Sequence, residues 1–177
     1  AEGTLADIPA PGATPLKIRG RIDRLDRHRE SGMLRIIDYK LKLGKSIAIE
    51  DRHLIQSAVR GYRLQPPLYT RLHVPEQGTA AEAQLLFLAP SWSTPVWRSS
   101  FDADVWTQEA GTMLRDTLSR LINGIRDGLF FIVPDAYCGT CEFRVACRRE
   151  HQPTLWRASR SSEAKQLTAL RTLEVEP

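Results

Sequence analysis

The residues best suited to chemistry sit in two short stretches, GRIDRLD at residues 20–26 and IIDYK at residues 36–40. In an extended strand, residues two apart share a face, so Asp38 and Lys40 project together while Tyr39 points away. Asp23 lies on the preceding stretch, where hairpin pairing brings it beside Asp38. Two carboxylates bind a hard divalent cation through oxygen. Such a cation lowers the pKa of water and neutralises charge developing on a phosphate. A lysine beside it stabilises the transition state or orients the attacking water. An aspartate taken singly is most often a surface ion-pair partner. One inside Ile-Ile-Asp-Tyr-Lys is different, because aspartate is disfavoured in strands and rarely buried unpaired.

A second candidate is YCGTCEFRVAC at residues 137–147, which holds all three cysteines, Cys138, Cys141 and Cys147. An odd number of thiols cannot close a disulfide framework, and their tight spacing favours metal or cluster ligation. Three readings stay open: part of an iron–sulfur motif, a zinc site completed by His151, or three free thiols.

The elements that must position these residues follow from periodicity and punctuation. Residues 1–15 are rich in Pro, Gly and Ala and read as an irregular lead-in. LKIRGRIDRLDRH alternates as one strand, ESG is a turn, and GMLRIIDYKL is the antiparallel partner. Adjacent Ile36 and Ile37 make that partner a central strand covered on both faces. Residues 48–61 fit loop or helix. Pro66 and Pro67 suit a first helical turn, so QPPLYTRLHV opens a helix. AEAQLLFLAP and TPVWRSSF are two further strands. DADVWTQEAGTMLRDTLSRLINGIRDG is a helix capped by Asp102 or Asp104 and stopped at Gly128. Its apolar face comprises Val105, Met113, Leu114, Leu118, Leu121, Ile122 and Ile125. The tail from Ser159 holds at most one short helix.

Composition bounds the class. The 177 residues are 42% hydrophobic and 26% charged, ordinary for one globular domain. No apolar run approaches the ~20 residues that span a bilayer, and the polar start is no signal peptide, so a cytoplasmic location is expected. A start at Ala1 rather than Met suggests processing or a segment of a longer chain. The net charge of +4, with five arginines in residues 18–29, suits a polyanionic partner or a solvated basic surface.

GRIDRLD, GMLRIIDYK, QPPLY and CGTCEFRVAC, in this order, resemble the PD-(D/E)XK nuclease superfamily over residues 16–150. The resemblance is greatest to the RecB-like exonuclease domain of AddB-type helicase–nuclease subunits. It implies an α/β fold of restriction-endonuclease type, with a mixed β-sheet flanked by helices. It also implies Mg²⁺- or Mn²⁺-dependent hydrolysis of DNA phosphodiesters, in a DNA-repair setting with a helicase partner. Asp23 and Asp38 match the metal-binding acids, Lys40 the catalytic lysine, and the Tyr39 carbonyl a further metal ligand. Gln65 and Tyr69 match a Gln-x-x-x-Tyr element that positions the phosphate or strand; i and i+4 share a helix face. Cys138, Cys141 and Cys147 match the C-terminal part of a 4Fe–4S motif whose fourth cysteine lies far upstream.

The expected organisation is therefore a lead-in at 1–15, a nuclease core at 16–133, a cysteine segment at 134–150 and a tail at 151–177. Two departures stand out. Leu41, Lys42 and Leu43 precede Gly44 where the family continues with Thr-Gly. The upstream helix that brings an acid or His is missing, leaving Glu2 and Asp7 as the upstream carboxylates. These departures favour the alternative of a catalytically inactive, nuclease-derived DNA-binding or scaffolding module; a zinc-stabilised interaction domain with no link to DNA is a third reading.

Overall fold

The computed structural model describes residues 2–5, 16–42, 50–89, 95–134 and 136–175. Its main sheet has four strands in the order β3-β4-β7-β8: β3 (Arg24–Arg27), β4 (Leu34–Leu41), β7 (Glu82–Leu88) and β8 (Val96–Asp102). β3 and β8 run antiparallel to their neighbours, whereas β4 and β7 are parallel. A parallel pair needs a crossover, here carrying α1 (Asp51–Val59) and α2 (Gln65–Tyr69). The expected mixed sheet flanked by helices is therefore present. So is the hairpin, with Arg24 opposite Ile37 and Arg27 opposite Leu34. β4 lies inside the sheet with Ile36 and Ile37 both buried.

The strand expected across residues 16–28 is broken in two. β2 (Leu16–Arg19) leaves the main sheet and pairs with β1 (Glu2–Leu5) in a second, antiparallel sheet. That sheet continues through β5 (Leu72–Val74) to β6 (Gly78–Thr79). β1 thus corrects the reading of residues 1–15 as wholly irregular, since residues 2–5 pair with the LKIR segment. The break at residues 20–23 has a local cause in Gly20. A Cβ there would lie 2.7 Å from Leu72 Cδ1 and 3.1 Å from Tyr69 Cε1. Only glycine lets the chain pass this close to the buried ends of α2 and β5.

The core lies between the main sheet and the helices. Leu85, Phe87 and Phe101 from the sheet meet Leu54, Ala58 and Val59 of α1 and Leu114, Leu118 and Ile122 of α3 (Glu109–Arg126). The helix expected from residue 102 is interrupted. Residues 103–107 form a 3₁₀ turn, α3 starts after Gln108, and neither Asp102 nor Asp104 caps it with a side-chain bond. Tertiary packing overrides the local capping signal, because Val105 and Trp106 turn inward and are buried. Trp106 Nε1 donates to Thr70 Oγ1 at 2.9 Å. Ile125, expected on the apolar face, is 63% exposed. Gly128 ends the helix as expected, with φ +68.

QPPLYTRLHV yields one helical turn, α2, and then β5. The tail is more ordered than expected. α4 (Gln152–Arg160) and α5 (Ser162–Ala169) precede a segment that packs on α1. Ala164 and Leu170 are buried. Gln56 Nε2 and Arg60 Nε both donate to the Leu173 carbonyl, at 2.6 and 2.8 Å, and Val175 N–H donates back to Gln56 Oε1. Leu43, Gly44 and Asp7 lie outside the described residues. No described helix is long and apolar enough to cross a membrane.

Candidate active site

The C-terminal half of β4 carries Asp38 and Lys40 toward α2. Asp38 is only 4% exposed. Its Oδ1 accepts from Gln65 Nε2 at 2.9 Å, and its Oδ2 lies 2.5 Å from Lys40 Nζ. Lys40 Nζ also donates to Gln65 Oε1 at 2.9 Å. The Gln65 amide thereby closes a ring around the pair, presenting its oxygen to the cation and its nitrogen to the anion. The reversed amide would set oxygen against carboxylate, so the network dictates one orientation. Gln65 Nε2 further donates to the Tyr69 hydroxyl at 2.6 Å, and that hydroxyl donates to the Arg21 carbonyl at 3.0 Å.

Gln65 and Tyr69 meet this way because α2 is a single turn placed by Pro66 and Pro67, both buried. Burial, foremost, and the charges of Asp38 and Asp23 raise the Tyr69 hydroxyl pKa above its usual value, against the opposing bond from Gln65. Tyr69 therefore stays a neutral hydroxyl at physiological pH.

Asp23 follows the break after β2. Extending the β3–β4 register by one residue sets it opposite Asp38. Its Oδ2 accepts the Tyr39 N–H at 3.2 Å. The Tyr39 side chain points to the other face, as the alternation requires, and there its hydroxyl accepts from Arg24 at 3.3 Å. The structure thus brings Asp23, Asp38, Lys40, Gln65 and Tyr69 together at one end of β4. The Arg21 carbonyl and Gly20 complete the surroundings. Both are invisible to motif reasoning, although a glycine between arginines at the end of an alternating run signals a break there.

The donor set fits a hard divalent cation. Mg²⁺ is commonly held by one or two carboxylates and several waters. Asp38 Oδ2 is buried without a directionally aligned hydrogen bond, even though Lys40 Nζ is 2.5 Å away. The two facts agree if the pair is a charge contact whose angles fall outside hydrogen-bond geometry. Among the described residues no group of three or more His, Cys, Asp and Glu is arranged to hold a metal, so the centre rests on two carboxylates.

The cysteine segment does not fit a metal or cluster within this chain. Cys138, Cys141 and Cys147 form no disulfide and are half-buried, Cys138 within one short 3₁₀ turn and Cys141 and Cys147 flanking the next. They do not converge into such a group, and an iron–sulfur cluster takes four protein ligands where the sequence offers three thiols. His151, the zinc alternative, instead has Nδ1 2.8 Å from Thr154 Oγ1 at the start of α4.

A mixed sheet flanked by helices thus carries a buried aspartate, a lysine two residues on and a second aspartate across the hairpin. Residues 2–148 match the PD-(D/E)XK nuclease superfamily, and the chain belongs to that superfamily. No curated protein and no solved structure matches it significantly.

Proposed function

We propose that this chain is a Mg²⁺- or Mn²⁺-dependent deoxyribonuclease domain of RecB/AddB-like type, hydrolysing phosphodiester bonds in DNA. The observation that carries this reading is the closed network of Asp38, Lys40, Gln65 and Tyr69, with Asp38 Oδ2 buried and unaligned. The order of the four sequence motifs supports a helicase partner, in the same or another chain, and a role in DNA repair.

Asp23 and Asp38, with the Tyr39 carbonyl, would hold the cation, which when bound supplies Lewis acidity at the phosphate and acidifies water. Lys40 reaches the surface, its side chain 37% exposed, and places a fixed positive charge where the phosphate arrives. Gln65 holds Lys40 and Asp38 in register, so little reorganisation is needed when substrate enters. Tyr69, kept protonated, anchors Gln65 to the main chain at Arg21. The basic stretch at residues 18–29 adds salt-sensitive affinity for the DNA backbone.

One observation favours the second reading, a nuclease-derived module that binds DNA without cutting. Lys40 sits directly on the Asp38 oxygen that a cation would use. Degradation of a linear labelled DNA with Mg²⁺ or Mn²⁺ distinguishes the two. The nuclease reading expects cleavage that Asp38→Ala and Lys40→Ala each reduce at least about 100-fold, the range seen on losing one preorganised charge. Binding without cleavage establishes the second reading, and activity surviving both substitutions places the centre elsewhere.

A further inference from the structure

The candidate centre depends on a helix that cannot place itself. α2 is one turn of five residues, far shorter than a helix that is stable by itself. Pro66 and Pro67 bring no N–H to it, and Leu64 at its start gives no side-chain cap. Yet Gln65 and Tyr69 on this turn must reach the Asp38–Lys40 pair at hydrogen-bond distance. Contacts outside the turn have to hold it.

The residue after the turn makes such a contact. Thr70 Oγ1 donates to the Pro67 carbonyl of α2 at 2.8 Å and accepts from Trp106 Nε1 at 2.9 Å. Thr70 is 2% exposed and Trp106 5%, so both bonds lie in the core. A phenylalanine would fill the same space without needing an acceptor, whereas a buried indole N–H requires one. Trp106 is itself held from several sides. Its ring meets Phe101 of β8 edge-on, with centroids 6.1 Å apart, and the Arg71 guanidinium lies 4.4 Å from its centroid. Arg115 of α3 donates to the Trp106 carbonyl at 2.7 Å. Trp106 thus joins β8 and α3 to the end of α2.

Resting on the nuclease reading above, we infer that Trp106 is a positioning residue of the carboxylate–lysine centre, acting through Thr70 and α2 on Gln65. Among the described residues it shares no hydrogen bond with Asp38, Lys40 or Gln65. Losing the indole N–H releases Thr70, lets α2 shift, and draws the Gln65 amide away from the Asp38–Lys40 pair. A misplacement of about 1 Å can cost about 100-fold in rate. With Gln65 as the relay, a loss of about 10-fold in kcat is expected, with KM for DNA little changed.

The test is a pair of double-mutant cycles joining Trp106→Phe, which keeps a ring in the core and removes the donor, with Gln65→Ala. The first cycle is read by urea unfolding without metal. Sites that share no partner act independently, so their effects on the folding constant multiply. The double variant should instead lose at least about 3-fold less than that product, because Trp106→Phe has already loosened the Gln65 network. The second cycle is read by kcat on linear DNA in Mg²⁺. Trp106→Phe should lower kcat about 10-fold alone and not at all in the Gln65→Ala protein. Thr70→Val should reproduce Trp106→Phe, and Thr70→Ser, which keeps the hydroxyl, should behave as wild type. Independent effects in either cycle overturn the proposal, as does a loss in Thr70→Ser equal to that in Thr70→Val. The urea cycle needs no cleavage. A wild-type chain that cuts nothing therefore sinks the nuclease reading, while that cycle still decides whether Trp106 holds Gln65.

Discussion

The Tyr69 hydroxyl ties the Asp38–Lys40–Gln65 network to the main chain, and Tyr69→Phe removes it while keeping the ring. Two bonds are lost, the one accepted from Gln65 Nε2 at 2.6 Å and the one donated to Arg21 O at 3.0 Å. The 3.5 Å approach to Asp38 Oδ1 is too long to count. Each such bond contributes about 0.5–1.5 kcal/mol, so unfolding free energy should fall by about 1–3 kcal/mol. The pH dependence sharpens the expectation. A Tyr69 pKa held above its unfolded value contributes stability that is complete below about pH 10 and lost as pH rises through the folded value. Phenylalanine has no such ionisation. Urea unfolding followed by circular dichroism should therefore show a lower midpoint with an unchanged slope. The deficit should hold steady from about pH 6 to pH 9 and narrow above about pH 10. An unshifted midpoint, or a deficit that widens at alkaline pH, refutes the bonding scheme.

Gly111→Ala should be among the most damaging single-methyl changes. The new Cβ would strike the Val105 carbonyl and approach the Trp106 main chain at 2.6 Å, where no side chain can yield. A loss of about 3 kcal/mol is expected, the upper range for overpacking, read as a drop in thermal midpoint. Asp102→Asn should stabilise. Burial first, then Glu82, Asp51 and Asp104, raise the Asp102 pKa, with Arg35 opposing. Its contribution is complete below the usual carboxylate value and lost as pH rises, so the variant's urea midpoint should be higher at pH 7. The gain should stay under about 1 kcal/mol, shrink in high salt and vanish below about pH 4.

Several features are written locally. The pairing of Asp38 with Lys40 follows from the two-residue period of a strand, and the central placement of β4 from adjacent Ile36 and Ile37. The β3–β4 hairpin and the stop at Gly128 follow from turn chemistry. Gln65 and Tyr69 were recognisable as a pair through the resemblance to the family's Gln-x-x-x-Tyr element. What they touch was not, because Asp38 and Lys40 are more than twenty residues away in the chain and meet α2 only through the crossover from β4 to β7.

The tertiary structure decided the rest, each time because a distant partner overrode a local preference. The alternation of residues 16–28 favours one strand, yet contact of Gly20 with Leu72 and Tyr69 divides it between two sheets. Asp102 and Asp104 favour a helix start that burial of Val105 and Trp106 prevents. Residues 173–175 carry no local signal for order and gain it from Gln56 and Arg60. The residue types able to do chemistry at β4 are set by sequence; their orientation and neighbours come from non-local packing, which no local pattern encodes.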